Sequence, residues 1–258
     1  MRKTALTLTV ATLVLGVFGA FFRWLQTINA FEAETGYPIP GHGTSVVFVL
    51  YCVLALAAVC VAAVVCFRGF ACEKTAAALG SASSISSVLG WCFGAVFVLA
   101  SLVILFTAHH TAHPVFRRLL GAFGILAGLS LPFLVGKRDA EAFSVGKSAS
   151  AVAALFFCLW LVYSYQSHSE NPIIWSFATE ILALAASATA FYYIAAFHFG
   201  AGHGRRALIS AQLAVFFDIV TLVDDHPAAE TVLLAVSAAM LLMTEYLLLT
   251  NLQEHRES

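Results

Sequence analysis

The sequence predicts an all-α fold, a polytopic bundle of about eight transmembrane helices with both termini cytoplasmic. Three observations lead there. Of 258 residues, 61% are hydrophobic and only 10% are charged, with a mean hydropathy of +0.91; a soluble domain carries roughly 25% charged residues. The apolar residues gather into runs of the length, about 20 residues, that crosses a hydrocarbon core of about 30 Å. The basic residues fall on alternate connections, the asymmetry that marks cytoplasmic loops. With 13 basic and 14 acidic residues the formal net charge is −1, which offers nucleic acid no basic surface. The 22 Phe and the Ala/Leu/Val runs exclude a disordered chain.

The runs lie near 5–23, 46–67, 87–108, 117–136, 148–166, 173–198, 206–223 and 228–250. The connections between them are too short to hold a soluble domain, so residues 1–258 read as a single integral membrane domain. A membrane β-barrel alternates apolar and polar positions along each strand, and stretches such as Ile181–Ala190 do not. The first run opens MRKTALTLTV and has small residues at Gly19–Ala20, as a signal peptide does. Its apolar stretch continues through Phe21–Phe22, which favours an uncleaved helix. Gly90 and Gly94 in the third run and Gly124 and Gly128 in the fourth form G-x-x-x-G pairs, and the sixth offers Ala183, Ser187 and Ala190. Small residues at this spacing let helices approach closely, either within one bundle or between copies. The seventh run is the weakest, and without it seven spans would leave the C-terminus outside. Arg205–Arg206 and Asp224–Asp225 bracket it with opposite charge preferences and favour eight.

Orientation follows from the loops. Arg2, Lys3, Arg68, Lys74, Lys137, Arg138, Lys147, Arg205, Arg206 and Arg256 fall on one side, and only Arg23, Arg117 and Arg118 on the other. Ten against three places the first side in the cytoplasm, in a bacterial inner membrane. None of the six cysteines (Cys52, Cys60, Cys66, Cys72, Cys92, Cys158) lies in an outer loop and no C-x-x-C occurs. They read as small buried hydrophobes rather than a disulfide framework or thiolate metal site.

Ionisable groups inside a bilayer are costly and mark candidate sites. Glu180 in the sixth run and Asp218 in the seventh fall in the outer part of their helices, at similar expected depth. Asp218, Thr221 and Asp225 share a face at i, i+3, i+7 spacing. Arg23, Arg117 and Arg118 lie on the same side. Together they outline an outward-facing cavity. The same groups also permit an interhelical ion pair, such as Arg23 or Arg118 with Glu180 or Asp218, that locks the bundle. Glu245, near the inner end of the eighth run, reads as snorkelling to the interface.

In His109-His110-Thr111-Ala112-His113, a continued third helix would stack His109 and His113 at i, i+4, a spacing that chelates Zn or Cu. His226, Asp225 or Glu170 would then supply a third ligand. Pro114 stands against that continuation and in favour of hydrated interfacial histidines. No Walker loop, G-x-S-x-G or H-E-x-x-H is present, and no cofactor is implied.

The first outer loop, Trp24–Thr44, is the longest. Trp24, Phe31 and Tyr37 suit an interfacial aromatic belt. Gly36, Pro38, Pro40, Gly41 and Gly43 forbid regular helix. A short interfacial helix and a rigid turn are expected, as a lid or a connector. Its pattern is an Arg–Trp pair (Arg23–Trp24), then Ala30-Phe31-Glu32, then Thr35-Gly36-Tyr37-Pro38-Ile39-Pro40-Gly41. This resembles an uncharacterised family of small polytopic membrane proteins from anaerobic Gram-positive bacteria, in which a second Arg often stands where this chain has Phe22. The resemblance covers the first span and loop, and the rest only through hydropathy. It implies a topology and no activity.

The residues thus point to a bilayer-embedded protein that binds or transports a small solute or ion, through a cavity lined by Glu180, Asp218, Asp225, Arg23, Arg117 and Arg118. The alternative is a non-catalytic membrane subunit or sensor that packs against a partner protein. A metal-dependent enzyme built on His109, His110 and His113 is a third reading.

Overall fold

The computed structural model describes residues 2–32, 34–68, 70–80, 84–111, 113–135, 142–169 and 173–254. Among them are eight long helices: α1 (Arg2–Asn29), α2 (Gly43–Cys66), α3 (Ser84–Thr107), α4 (Pro114–Leu134), α5 (Ala142–Ser167), α6 (Ala178–His198), α7 (Gly204–Thr221) and α8 (Ala228–Thr250). Each corresponds to one apolar run, so the all-α membrane bundle expected from hydropathy is the fold observed. The extended structure is slight: Phe70–Ala71 pairs antiparallel with Gln253–Glu254, tying the α2–α3 loop to the segment after α8.

Seven of the eight helices are long and apolar enough to cross a membrane. The exception is α7, which carries Arg205, Arg206, Gln212 and Asp218 within 18 residues. Twelve of those 18 residues are nevertheless buried. The packing explains this. Helices α3, α4, α5, α6, α7 and α8 each contact the next, and α8 closes back on α3. Helix α1 lies against α7 and α8, and α2 against α1 and α7. Helix α7 therefore packs against four helices, α1, α2, α6 and α8, and its half-buried remainder past the opening turn, Ile209, Leu213, Phe217 and Ile219, is apolar. The apolar windows of α1 and α2 are only 22% buried, against 67% for α8. Their outward side chains, such as Leu54 and Val65, are what lipid meets.

Alternation along the chain brings the C-terminal ends of α1, α3, α5 and α7 together with the N-terminal ends of α2, α4, α6 and α8. This end, on the outside by the count of basic residues, is called outer below. Helix α1 runs six residues beyond Arg23, so the separate interfacial helix expected after Trp24 does not form. The chain instead closes a small hairpin, with Glu32 N donating to Tyr37 O and Ile39 N to Ala30 O. Gly36 and Gly41 both take φ +70, a conformation costly for side-chain-bearing residues.

The two G-x-x-x-G pairs face one another. A Cβ on Gly94 would lie 2.6 Å from Gly128 O, and one on Gly128 would lie 2.9 Å from Val98 N and 3.0 Å from Gly94 O. The small residues thus serve close α3–α4 contact inside one bundle, where packing rather than water exclusion supplies the attraction between helices. Beneath them, Phe97, Phe156, Phe157, Trp160 and Phe191 pack edge-on and face-on at centroid distances of 5.1–6.0 Å. Gly128→Ala is expected to wedge α3 from α4 and cost about 1–3 kcal/mol, read as a lower thermal midpoint in detergent. Gly43→Ala, whose Cβ would have no neighbour within 4 Å, should leave the midpoint unchanged.

Candidate functional site

The polar groups of the bundle fall into three tiers along α7 and α8. The outer tier begins with Arg23, only 2% exposed. Its Nε donates to Asp224 Oδ1 at 2.8 Å, its Nη1 to Gln26 Oε1 at 2.9 Å and its Nη2 to the Trp175 carbonyl at 3.0 Å. The second oxygen of Asp224 accepts from Thr179 and Thr221 at 2.5 and 3.1 Å. Arg23 also sits 5.8 Å from the centre of the Phe48 ring on α2. One satisfied ion pair therefore fastens α1, α2, α6 and the α7–α8 turn. Expectation had paired Arg23 with Glu180 or Asp218. The partner is Asp224 because α7 ends at Thr221 and the chain turns back, with Asp224 N donating to Thr221 O. Helical periodicity carried past that turn picks Asp225, which the structure leaves exposed.

Next to this pair is a looser group. Arg117 Nη1 lies 3.0 Å from Glu230 Oε1 and donates to Tyr163 Oη at 3.0 Å. Its Nε has no hydrogen-bond partner among the described residues. Glu180 is within electrostatic reach of Glu230 and 3.9 Å from His226 Nδ1. Two carboxylates, one guanidinium and one imidazole thus converge from α4, α6, α8 and the α7–α8 turn. Arg118, the neighbour of Arg117, is exposed.

The middle tier is Asp218, wholly buried. Ser187 Oγ on α6 lies 2.9 and 3.1 Å from its two oxygens. Ser237 on α8 lies beside the carboxylate without closing a hydrogen bond of good geometry. Ser187 is seven residues along α6 from Glu180, a rise of about 10 Å. Glu180 and Asp218 therefore do not share a depth, contrary to expectation. Both are packed, at 4% and 0% exposure. A groove of about 640 Å³ does open at the outer end, between Pro38–Gly41, α2 and Trp175, but its walls are almost wholly apolar.

The inner tier joins Glu245 on α8, Gln212 on α7 and Thr12 on α1. Gln212 Nε2 donates to Glu245 Oε1 at 2.8 Å, and Thr12 Oγ1 lies 3.0 Å from the same oxygen. Glu245 is fully buried rather than snorkelling, because α1 and α7 cover the side of α8 that carries it. Sequence reasoning also missed Asp224, Glu230, Gln212 and Ser237. A signal was present: Glu230, Ser237 and Thr244 recur every seventh residue on α8, as Glu180 and Ser187 do on α6, which is one face of a helix.

The histidine site does not form as expected. Helix α3 stops at Thr107, Ala108–His110 is a short 3-10 turn and Thr111 is extended, so His109 and His113 are not stacked on one helix. Pro114 begins α4 instead. Both His109 and His113 are exposed; the side chain of His110 and all of Glu170 lie outside the described residues. Among the described residues no group of three His, Cys, Asp or Glu side chains is placed to hold a metal ion.

Arg23→Ala strands Asp224 in a buried position. Removing one partner of such a pair costs about 3–5 kcal/mol, so a large fall in thermal midpoint is expected, matched by Asp224→Ala. Asp225→Asn, at an exposed position, should change stability by no more than about 0.5 kcal/mol. Equal effects at 224 and 225 would contradict the assignment.

No family model, curated protein or solved structure matches this chain.

Proposed function

We propose that this multi-pass membrane protein binds or moves a small ion or solute across a bacterial plasma membrane, with a proton or cation exchanged at Asp218. The observation that supports this reading is the kind of partner Asp218 has. It is 0% exposed, and among the described residues its neighbours are the neutral hydroxyls of Ser187 and Ser237. A bare charge there is expensive, so the carboxyl is neutralised by a proton or a bound cation. A carboxylate kept only to fasten helices has a better solution in this same protein, the guanidinium that Arg23 gives Asp224.

In this reading the Arg117, Glu230, Glu180 and His226 group receives the ion or solute at the outer end. Glu180 and then Asp218 hand the proton or cation inward along α6 and α7.

The test is flux. Purified protein is placed in liposomes loaded with a pH-sensitive dye and subjected in turn to proton, Na⁺ and K⁺ gradients. The wild type should dissipate at least one gradient, and Asp218→Asn should fall to the level of empty liposomes with its thermal midpoint retained. Undiminished flux in Asp218→Asn overturns the role of Asp218. A wild type that moves none of the three and co-purifies with a stoichiometric partner supports the subunit reading instead.

A further inference from the structure

We infer that Glu245 carries a proton, held in an acid–amide pair with Gln212 in the inner half of the bundle. Thr12, Gln212 and Glu245 are 2%, 1% and 0% exposed, so water does not complete their bonding. Gln212 Nε2 donates to Glu245 Oε1 at 2.8 Å and lies 3.2 Å from Thr12 Oγ1. The single hydroxyl hydrogen of Thr12 serves either Glu245 Oε1 at 3.0 Å or Leu8 O at 3.1 Å.

Two atoms are left over. Glu245 Oε2 and Gln212 Oε1 are buried and have no hydrogen-bond partner among the described residues. With Glu245 ionised both are acceptors, and neither can satisfy the other. One proton on Oε2 turns one of them into a donor and removes a charge from the bilayer interior. Nε2 already sits on Oε1, and an O–H on Oε2 turned to Oε1 of Gln212 completes a reciprocal pair. A buried polar group left unmatched costs about 1–3 kcal/mol, and this proton matches two.

Among the described residues no cation on the surrounding elements does the same work. Helix α1 brings Thr12, its exposed Lys3 lying nine residues or about 13 Å away. Helix α7 brings Gln212, its Arg205 and Arg206 being exposed at the opening turn, at least six residues or about 9 Å away. Helix α2 brings Cys66, an acid rather than a cation, within electrostatic reach. Helix α3 brings an exposed Cys92, and Glu73 and Lys74 stand in the loop before the Ala76–Leu79 turn that packs on α8. Three side chains bearing one negative charge also make a thinner oxygen shell than Ca²⁺ or Mg²⁺ takes. The protonation stands on this geometry alone; only its use, as the inner relay for exchange at Asp218, rests on the proposed function.

Infrared spectroscopy of the protein in lipid at neutral pH reads the proton directly. The expected result is a protonated-carboxyl C=O band that shifts in D₂O, moves with ¹³C-glutamate labelling, survives Asp218→Asn and is lost in Glu245→Gln. In Gln212→Leu, which keeps the acid but removes its amide acceptor, the band should move to higher frequency; this second variant decides the matter should Glu245→Gln fail to fold. Absence of the band in wild type, its survival in Glu245→Gln, or its disappearance on adding Na⁺ (a cation site instead) each overturns the assignment. Flux plays no part in this readout, so a protein that moves no ion leaves the test intact.

Discussion

The structure depends on enclosing a helix that lipid would reject. Besides two exposed arginines at its opening turn, α7 holds a buried glutamine and a buried aspartate, and a charged side chain at the bilayer centre costs several kcal/mol by the mildest scales. The bundle surrounds it with α1, α2, α6 and α8. The remaining architecture follows: α1 and α2 are mostly lipid-facing because their task is to cover α7, and α8 is the most buried of the apolar spans because it lies between α7 and α3. Close approach supports the enclosure. Gly16 and Gly19 on α1 leave only the room that Ile219, Val220 and Phe216 of α7 occupy.

The enclosed polar groups are of two kinds, and the contrast between them carries the functional reading. Around Arg23 each guanidinium nitrogen has a partner, and one ion pair links four elements. That is how a buried charge pair gives a bundle one defined arrangement. Deeper in, Asp218 and Glu245 are met by hydroxyls and an amide. Such donors orient a carboxyl without neutralising it, and on that difference the proposed exchange at Asp218 rests. The Arg117 group lies between these cases, with an ion pair made but a guanidinium nitrogen unspent.

The fold was legible in the sequence because hydropathy in a bilayer acts span by span. Even the weak seventh span was bracketed by its charges. The site was legible only in part. Arg23, Arg117, Glu180 and Asp218 were recognisable as charges at odds with their surroundings. Their partners were not, since pairing depends on how the chain turns after Thr221 and on which helices are neighbours. Asp224 and Asp225 are chemically identical, and only the turn separates the buried one from the exposed one. Glu245 looked free to reach the interface because a single helix cannot show that α1 and α7 cover it. The histidines failed for a local reason, the early stop of α3 before Pro114.

The enclosure of α7 is most directly measured by oxygen collision at nitroxide spin labels, in a cysteine-free background reconstituted in lipid. Labels at Leu213 and Phe217 on α7 are compared with labels at the lipid-facing Leu54 and Leu99. Low oxygen collision on α7 and high collision at 54 and 99 is the result predicted. Collision on α7 equal to that at Leu54 and Leu99 would place the helix against lipid and contradict the account.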